Sequence, residues 1–123
     1  VALVAVLTPV LAAGAATGPR ISATGGTPQS TAVNTAFPHK LSARVVGAKG
    51  HPRVGLLVTF RAPTSGPSLK FANGRTSWTH RTGKHGYVRV TATANGIKGS
   101  YRVVASLHST PVRTATFSLT NTR

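Results

Sequence analysis

The sequence contains no aspartate and no glutamate. With no carboxylate side chain, glycoside hydrolysis by paired acids is excluded, and a Ser-His-Asp triad has no acid to orient its histidine. Magnesium and calcium, which take hard carboxylate oxygens, have no ordinary ligands here. Cysteine is absent too, which removes disulfides, thiolate–zinc sites and a thiol nucleophile. Stability therefore has to come from backbone pairing and apolar burial. Aromatics amount to 6% with a single Trp, too few for a row of base-stacking platforms.

Against these absences stand 15 Lys and Arg, for a formal charge of +15. No side-chain salt bridge can form, so each cation faces water, a counter-ion or an anionic partner. Mutual repulsion should weaken the compact state at low ionic strength and be relieved by salt. A length of 123 residues with 40% hydrophobic content fits one domain with a core of its own.

Val1–Ala16 is apolar and uncharged and carries Pro9 in its middle. It is shorter than the roughly 20 residues that a spanning helix needs, and it ends in the small residues Ala13-Gly14-Ala15-Ala16. The expectation is an export signal over 1–16, cleaved after Ala15 or Ala16, and no transmembrane span. A buried strand or helix of an upstream domain is the alternative. Residues 17–26 then read as a linker and 27–122 as the folded domain.

Beyond Gly18 no stretch holds a helical period, and strand-like alternation recurs instead. Leu41, Ala43 and Val45 point one way while Lys40, Ser42 and Arg44 point the other. Leu56, Val58 and Phe60 share a face opposite Leu57, Thr59 and Arg61. Tyr101, Val103 and Ala105 alternate with Arg102, Val104 and Ser106, and Ala115, Phe117 and Leu119 with threonines and serine. Leu69 with Phe71, and Val88 with Val90 and Ala92, add two more inward sets. Between them fall turn signals: Lys49-Gly50-His51-Pro52 as a hairpin loop, Asn73-Gly74, Gly83-Lys84-His85-Gly86 and Asn95-Gly96. One buried face per strand and turns at this spacing predict an all-β, antiparallel sandwich of about seven to eight strands.

The series Thr27-Pro28-Gln29-Ser30-Thr31-Ala32-Val33-Asn34-Thr35-Ala36-Phe37, then Gly50-x-Pro52-x-x-Gly55, then Val58-Thr59-Phe60-x-Ala62-Pro63, is joined by Thr82-x-x-x-Gly86, Thr93-Ala94-Asn95-Gly96 and Gly99-Ser100-Tyr101-x-Val103-x-Ala105. Taken with Ala115-Thr116-Phe117-x-Leu119-Thr120-Asn121, this order and spacing resembles the bacterial immunoglobulin-like repeats of invasin and intimin type, over one whole repeat from Ser22 to Thr122. The resemblance implies an immunoglobulin-like β-sandwich of a surface or secreted protein, commonly in tandem with neighbouring repeats, acting as spacer or adhesive module without catalytic residues. The family usually carries Asp in its hairpin loops. Here those loops read Gly47-Ala48-Lys49-Gly50 and Gly83-Lys84-His85-Gly86, so any cation binding by them loses its ligands.

Lys40, Arg44, Arg61, Lys70, Arg89 and Arg102 fall on the outward phase of different strands and form the candidate anion-binding surface. Their separation in sequence predicts a diffuse coat over the sheet faces with no single groove, which attracts polyanions avidly but without sequence specificity. Outward arginines also discourage edge-to-edge aggregation, a sufficient structural reason for them. Trp78, in a polar strand beside His80, is either a plug of the core, the preferred reading, or an exposed stacking platform for sugar or base. Tyr101 is expected to anchor a strand start through a hydroxyl bonded to backbone. His39, His51, His80, His85 and His108 show no metal-ligand spacing and read as solvated side chains that add charge in mild acid. No metal or cofactor is implied. Two functions follow as expectations: a non-catalytic module held near anionic envelope polymers or glycans at the cell surface, or a polyanion binder whose target is nucleic acid.

Overall fold

The computed structural model describes residues 19–108 and 113–123. The expected export signal over 1–16 lies outside the described residues. Ten strands follow in order: β1 (Arg20–Gly25), β2 (Gln29–Ala32), β3 (Leu41–Val46), β4 (Leu57–Arg61), β5 (Leu69–Phe71), β6 (Ser77–Arg81), β7 (Tyr87–Val90), β8 (Ala92–Ala94), β9 (Gly99–Leu107) and β10 (Thr114–Thr122). A single 3-10 turn, Ala48–Gly50, is the one helical element among the described residues.

The strands form two layers. One is a five-stranded sheet in the order β2-β10-β9-β4-β6, and the other runs β1-β3-β7. A short β5–β8 ladder extends the second layer, because β8 picks up one residue after β7 and Val88, Val90, Ala92 and Ala94 keep the same buried phase through the break. The chain is thus an all-β sandwich, as the alternation predicts. The strand count is higher than expected for two reasons. The first strand leaves one sheet for the other across Gly26–Pro28, giving β1 and β2, and the β7/β8 strand is interrupted at Thr91. Pairing is antiparallel except between β2 and β10, which run parallel with Leu119 opposite Gln29.

Three local readings need correction. Residues 17–26 are not a linker throughout, since Ile21 pairs with Val45 and Ala23 with Ala43 as edge strand β1. Its apolar set is small, and Gly25 and Gly26 mask the end of the strand in sequence. Lys49-Gly50-His51-Pro52 is not a hairpin loop, because β3 and β4 belong to different sheets and the segment carries the chain between layers. The Tyr101 hydroxyl bonds a side chain and not the backbone, donating to Asn121 Oδ1 at 2.8 Å.

Phe60, Phe117, Leu41, Leu69, Leu107 and Leu119 are fully buried and fill the space between the layers. Burial of each such side chain stabilises the fold by about 1.5–3 kcal/mol. Phe60 is the hub, with ring centroids 6.1 Å from Phe71, 5.9 Å from Trp78 and 5.7 Å from Phe117. Asn121, 1% exposed, ties the end of the sandwich together: besides accepting from Tyr101, its amide donates to Ser68 O at 2.9 Å, with Asn95 Oδ1 and Ile97 O each at 3.1 Å. A buried amide meeting this many partners satisfies the polar-group requirement that apolar neighbours cannot.

Candidate anion-binding face

The pairing of β3 with β7 sets Ser42 opposite Arg89 and Arg44 opposite Tyr87. Because the intervening Ala43 and Val88 point into the core, these four side chains share the outer face of the three-stranded sheet. The Arg44 guanidinium carbon lies 5.1 Å from the Tyr87 ring centroid and that of Arg89 lies 4.4 Å from it, both within cation–π reach. The ring face offsets part of the repulsion between two like charges that no carboxylate neutralises.

Beside this pair opens a hollow of about 410 Å³, lined by Thr24, His39, Lys40, Ser42, Tyr87 and Arg89 together with Gly25 and Gly26. Its hydroxyls are joined, Thr24 Oγ1 to Ser42 Oγ at 2.9 Å. Its rim is braced by Gln29, whose amide donates to Gly26 O at 3.0 Å and His39 O at 2.8 Å and whose Oε1 accepts from His39 N at 3.2 Å. Gly26 has φ +82°, and a Cβ there would meet Lys40 O at 2.5 Å, so only glycine lets the rim close onto Lys40. Arg44 is held from behind, its Nε donating to His85 O at 3.1 Å. Gly86 fixes that turn, with φ +83° and space for a Cβ closed by Val45 O at 2.5 Å.

The cations expected to be spread over the sheet faces without one groove lie in part close together. Arg44 and Arg89 meet over Tyr87, since β3 and β7 are neighbours and their outward phases coincide, and Lys40 lines the adjoining hollow with Tyr87 and Arg89. Arg61, Lys70 and Arg102 stay apart. Arg102 lines a hydroxyl-rich hollow of about 500 Å³ with Ser30, Ser100, Ser118 and Thr120 on the five-stranded sheet. Lys70 borders a hollow of about 480 Å³ near Asn34 and Asn95. Arg61 ends β4 opposite Val104 and Ser77.

Trp78 takes something from both readings. On edge strand β6 it pairs with Phe60 and is half-buried against the core, while its ring stacks on His80 at 4.9 Å and 13°. Tyr87, the centre of the basic cluster, escaped the sequence reading, although its phase is that of Arg89 and opposite that of Val88 and Val90. Pairing between β3 and β7, the missing information, leaves no mark in a single sequence. All five histidines are exposed, and among the described residues no three His, Cys, Asp or Glu side chains gather to hold a metal ion.

These two packed sheets, with a first strand that passes from one layer to the other, define an immunoglobulin-like β-sandwich. In fold, the chain is similar to the Yersinia pseudotuberculosis adhesin InvE, with a TM-score of 0.69 and 15% identity over 85% of this chain and 32% of the adhesin. The chain thus spans about a third of that protein. Lipoproteins of Bacteroides eggerthii (TM-score 0.48, 13% identity, 84% of this chain and 97% of that one) and Bacteroides thetaiotaomicron (0.44, 11%, 85% and 79%) match more distantly. No protein-family model matches the chain, and no curated protein matches its sequence.

Proposed function

We propose that the chain is a non-catalytic, extracellular module with a structural or adhesive role in a secreted or surface protein, whose basic exterior holds it to anionic envelope polymers or glycans. The convergence of Lys40, Arg44 and Arg89 on one sheet face, in a chain without one acidic side chain, is the observation that carries this reading. Folded proteins ordinarily balance such cations with carboxylates; an unbalanced cluster at a hollow leaves anions as its partners. The likeness in fold to an adhesin, of which the match covers 32%, supports a place within a longer surface protein.

Titration of the full chain with heparin, duplex DNA and a neutral glycan across a salt series tests the reading. Heparin should bind, with the logarithm of its association constant falling linearly against the logarithm of salt concentration, and the neutral glycan should not. Neutral-glycan binding equal to that of heparin would overturn the reading. Sequence-dependent DNA affinity that survives moderate salt would replace it with nucleic-acid binding.

A further inference from the structure

Resting on that reading and going beyond it, we propose that the hollow between the β1 end, Lys40 and β7 is a defined subsite for one acidic sugar of an anionic glycan. Arg89 and Lys40 take its sulfate or carboxylate, and the Thr24–Ser42 hydroxyl pair meets its ring hydroxyls. A volume of about 410 Å³ falls within the range of small-ligand sites and is open to solvent on the sheet face. The lining supplies donors of the required kinds: a guanidinium fork, an ammonium, three hydroxyls and an imidazole.

The site is built before a ligand arrives. Gln29 makes three hydrogen bonds that lock the Gly26 loop to the His39 backbone, and the Thr24–Ser42 bond crosses from β1 to β3. Arg89 lies against Tyr87, which limits the freedom of its guanidinium before binding. Such bracing lowers the ordering cost that a flexible cation elsewhere on the surface would meet. Among the described residues, the two larger hollows each carry one cation, Arg102 in the one and Lys70 in the other.

A nucleic acid fits less well. Single strands are held by successive bases stacked on successive aromatic rings, and Tyr87 is the only Phe, Tyr or Trp in this lining. Two guanidiniums already lie within 5.1 Å of that ring's centroid.

Isothermal titration of the full chain at about 0.15 M salt separates a subsite from diffuse attraction. The probes are a heparin-derived tetrasaccharide, its desulfated counterpart that keeps only carboxylates, and a single-stranded oligonucleotide of matching charge. Arg89→Lys keeps the net charge but loses the planar fork; Arg61→Lys makes the same change on the other sheet. The expected result is a loss of about tenfold in tetrasaccharide affinity for Arg89→Lys and less than about twofold for Arg61→Lys. Loss confined to the sulfated probe assigns a sulfate to Arg89, and loss with both probes assigns a carboxylate; either supports the subsite. Equal affinities for wild type, Arg89→Lys and Arg61→Lys would overturn the subsite while leaving the polyanion reading in place. No heparin-fragment binding even at low salt would overturn both. An oligonucleotide bound more tightly than either glycan, with the same Arg89 sensitivity, would overturn the sugar assignment. Unchanged circular dichroism and thermal midpoint in Arg89→Lys establish that the fold is intact.

Discussion

Asn121 shows what one buried polar residue does in a sandwich without disulfides. Its side chain joins β10 to the Ser68 carbonyl, to Asn95 and to the Tyr101 hydroxyl on β9. Asn121→Ala leaves the buried Tyr101 hydroxyl without its acceptor, at about 1–3 kcal/mol, while Ser68 O still accepts from Asn95 N and Asn95 Oδ1 from Ile97 N. The expected destabilisation is about 1–3 kcal/mol in urea unfolding, above an ordinary surface change; a loss below about 0.5 kcal/mol would mean that water replaces the network. Burial raises the Tyr101 pKa, partly opposed by the hydrogen bond to Asn121. The folded state therefore keeps a proton that the unfolded chain releases above its value of about 10. Tyr101 contributes stability fully below that pH and loses it as pH climbs toward the higher folded value. Guanidinium unfolding across alkaline pH should show a fall that Tyr101→Phe largely removes; an identical fall in that variant would assign the effect to other groups. A tyrosine at a strand start was visible in sequence, but its partner 20 residues later was not, since Asn121 reads there as one more polar residue near the chain's end.

Among the elements, the inward sets of β9 and β10 were legible because every other residue is buried and, Asn121 apart, apolar; in β3 Leu41, Ala43 and Val45 mark the same phase in sequence, although Ser42 between them is buried too. β1 was not, since only Ile21 and Ala23 mark its inner phase before two glycines. Layer changes were also hidden: the turn residues after β3, β5 and β6 look like hairpin signals, while the chain crosses between sheets at each. Turn chemistry specifies local backbone geometry and is silent about which sheet receives the next strand. Only pairing then decides which cations meet, which is why Lys40, Arg44 and Arg89 were each named while their nearness on one face was not. Edge strand β6 provides an element-scale test. Trp78 covers the flank of Phe60, and Trp78→Ala should cost about 2 kcal/mol, less than the 3–5 kcal/mol expected for Phe60→Ala at the hub. Equal losses in denaturant titration would show that β6 is as central to the core as β4.

For the whole molecule, the absence of acids gives the electrostatics a definite sign. In most proteins salt weakens attractions and repulsions together, so its net effect is hard to foresee. Here the side chains supply +15 and no negative charge, so screening relieves repulsion and has almost nothing favourable to remove. The melting temperature should rise steadily from about 0.02 M to about 0.5 M sodium chloride, and a fall would show that hydrogen bonds from cations to backbone, such as Arg44 to His85, outweigh the repulsion. The same composition bears on acid. Acid unfolding is mostly the protonation of carboxylates that are paired in the native state and the charging of histidines buried neutral. This chain has no carboxylate side chain, and its five histidines are exposed. With no carboxylate side chain to protonate, what acid leaves in play is repulsion among cations, which salt screens. At about 0.5 M salt the melting temperature near pH 3 should stay within about 5 °C of its neutral value, whereas at low salt it should drop further. A steep loss in acid that persists at high salt would require a buried titrating group, and scanning calorimetry at the two salt concentrations separates the cases.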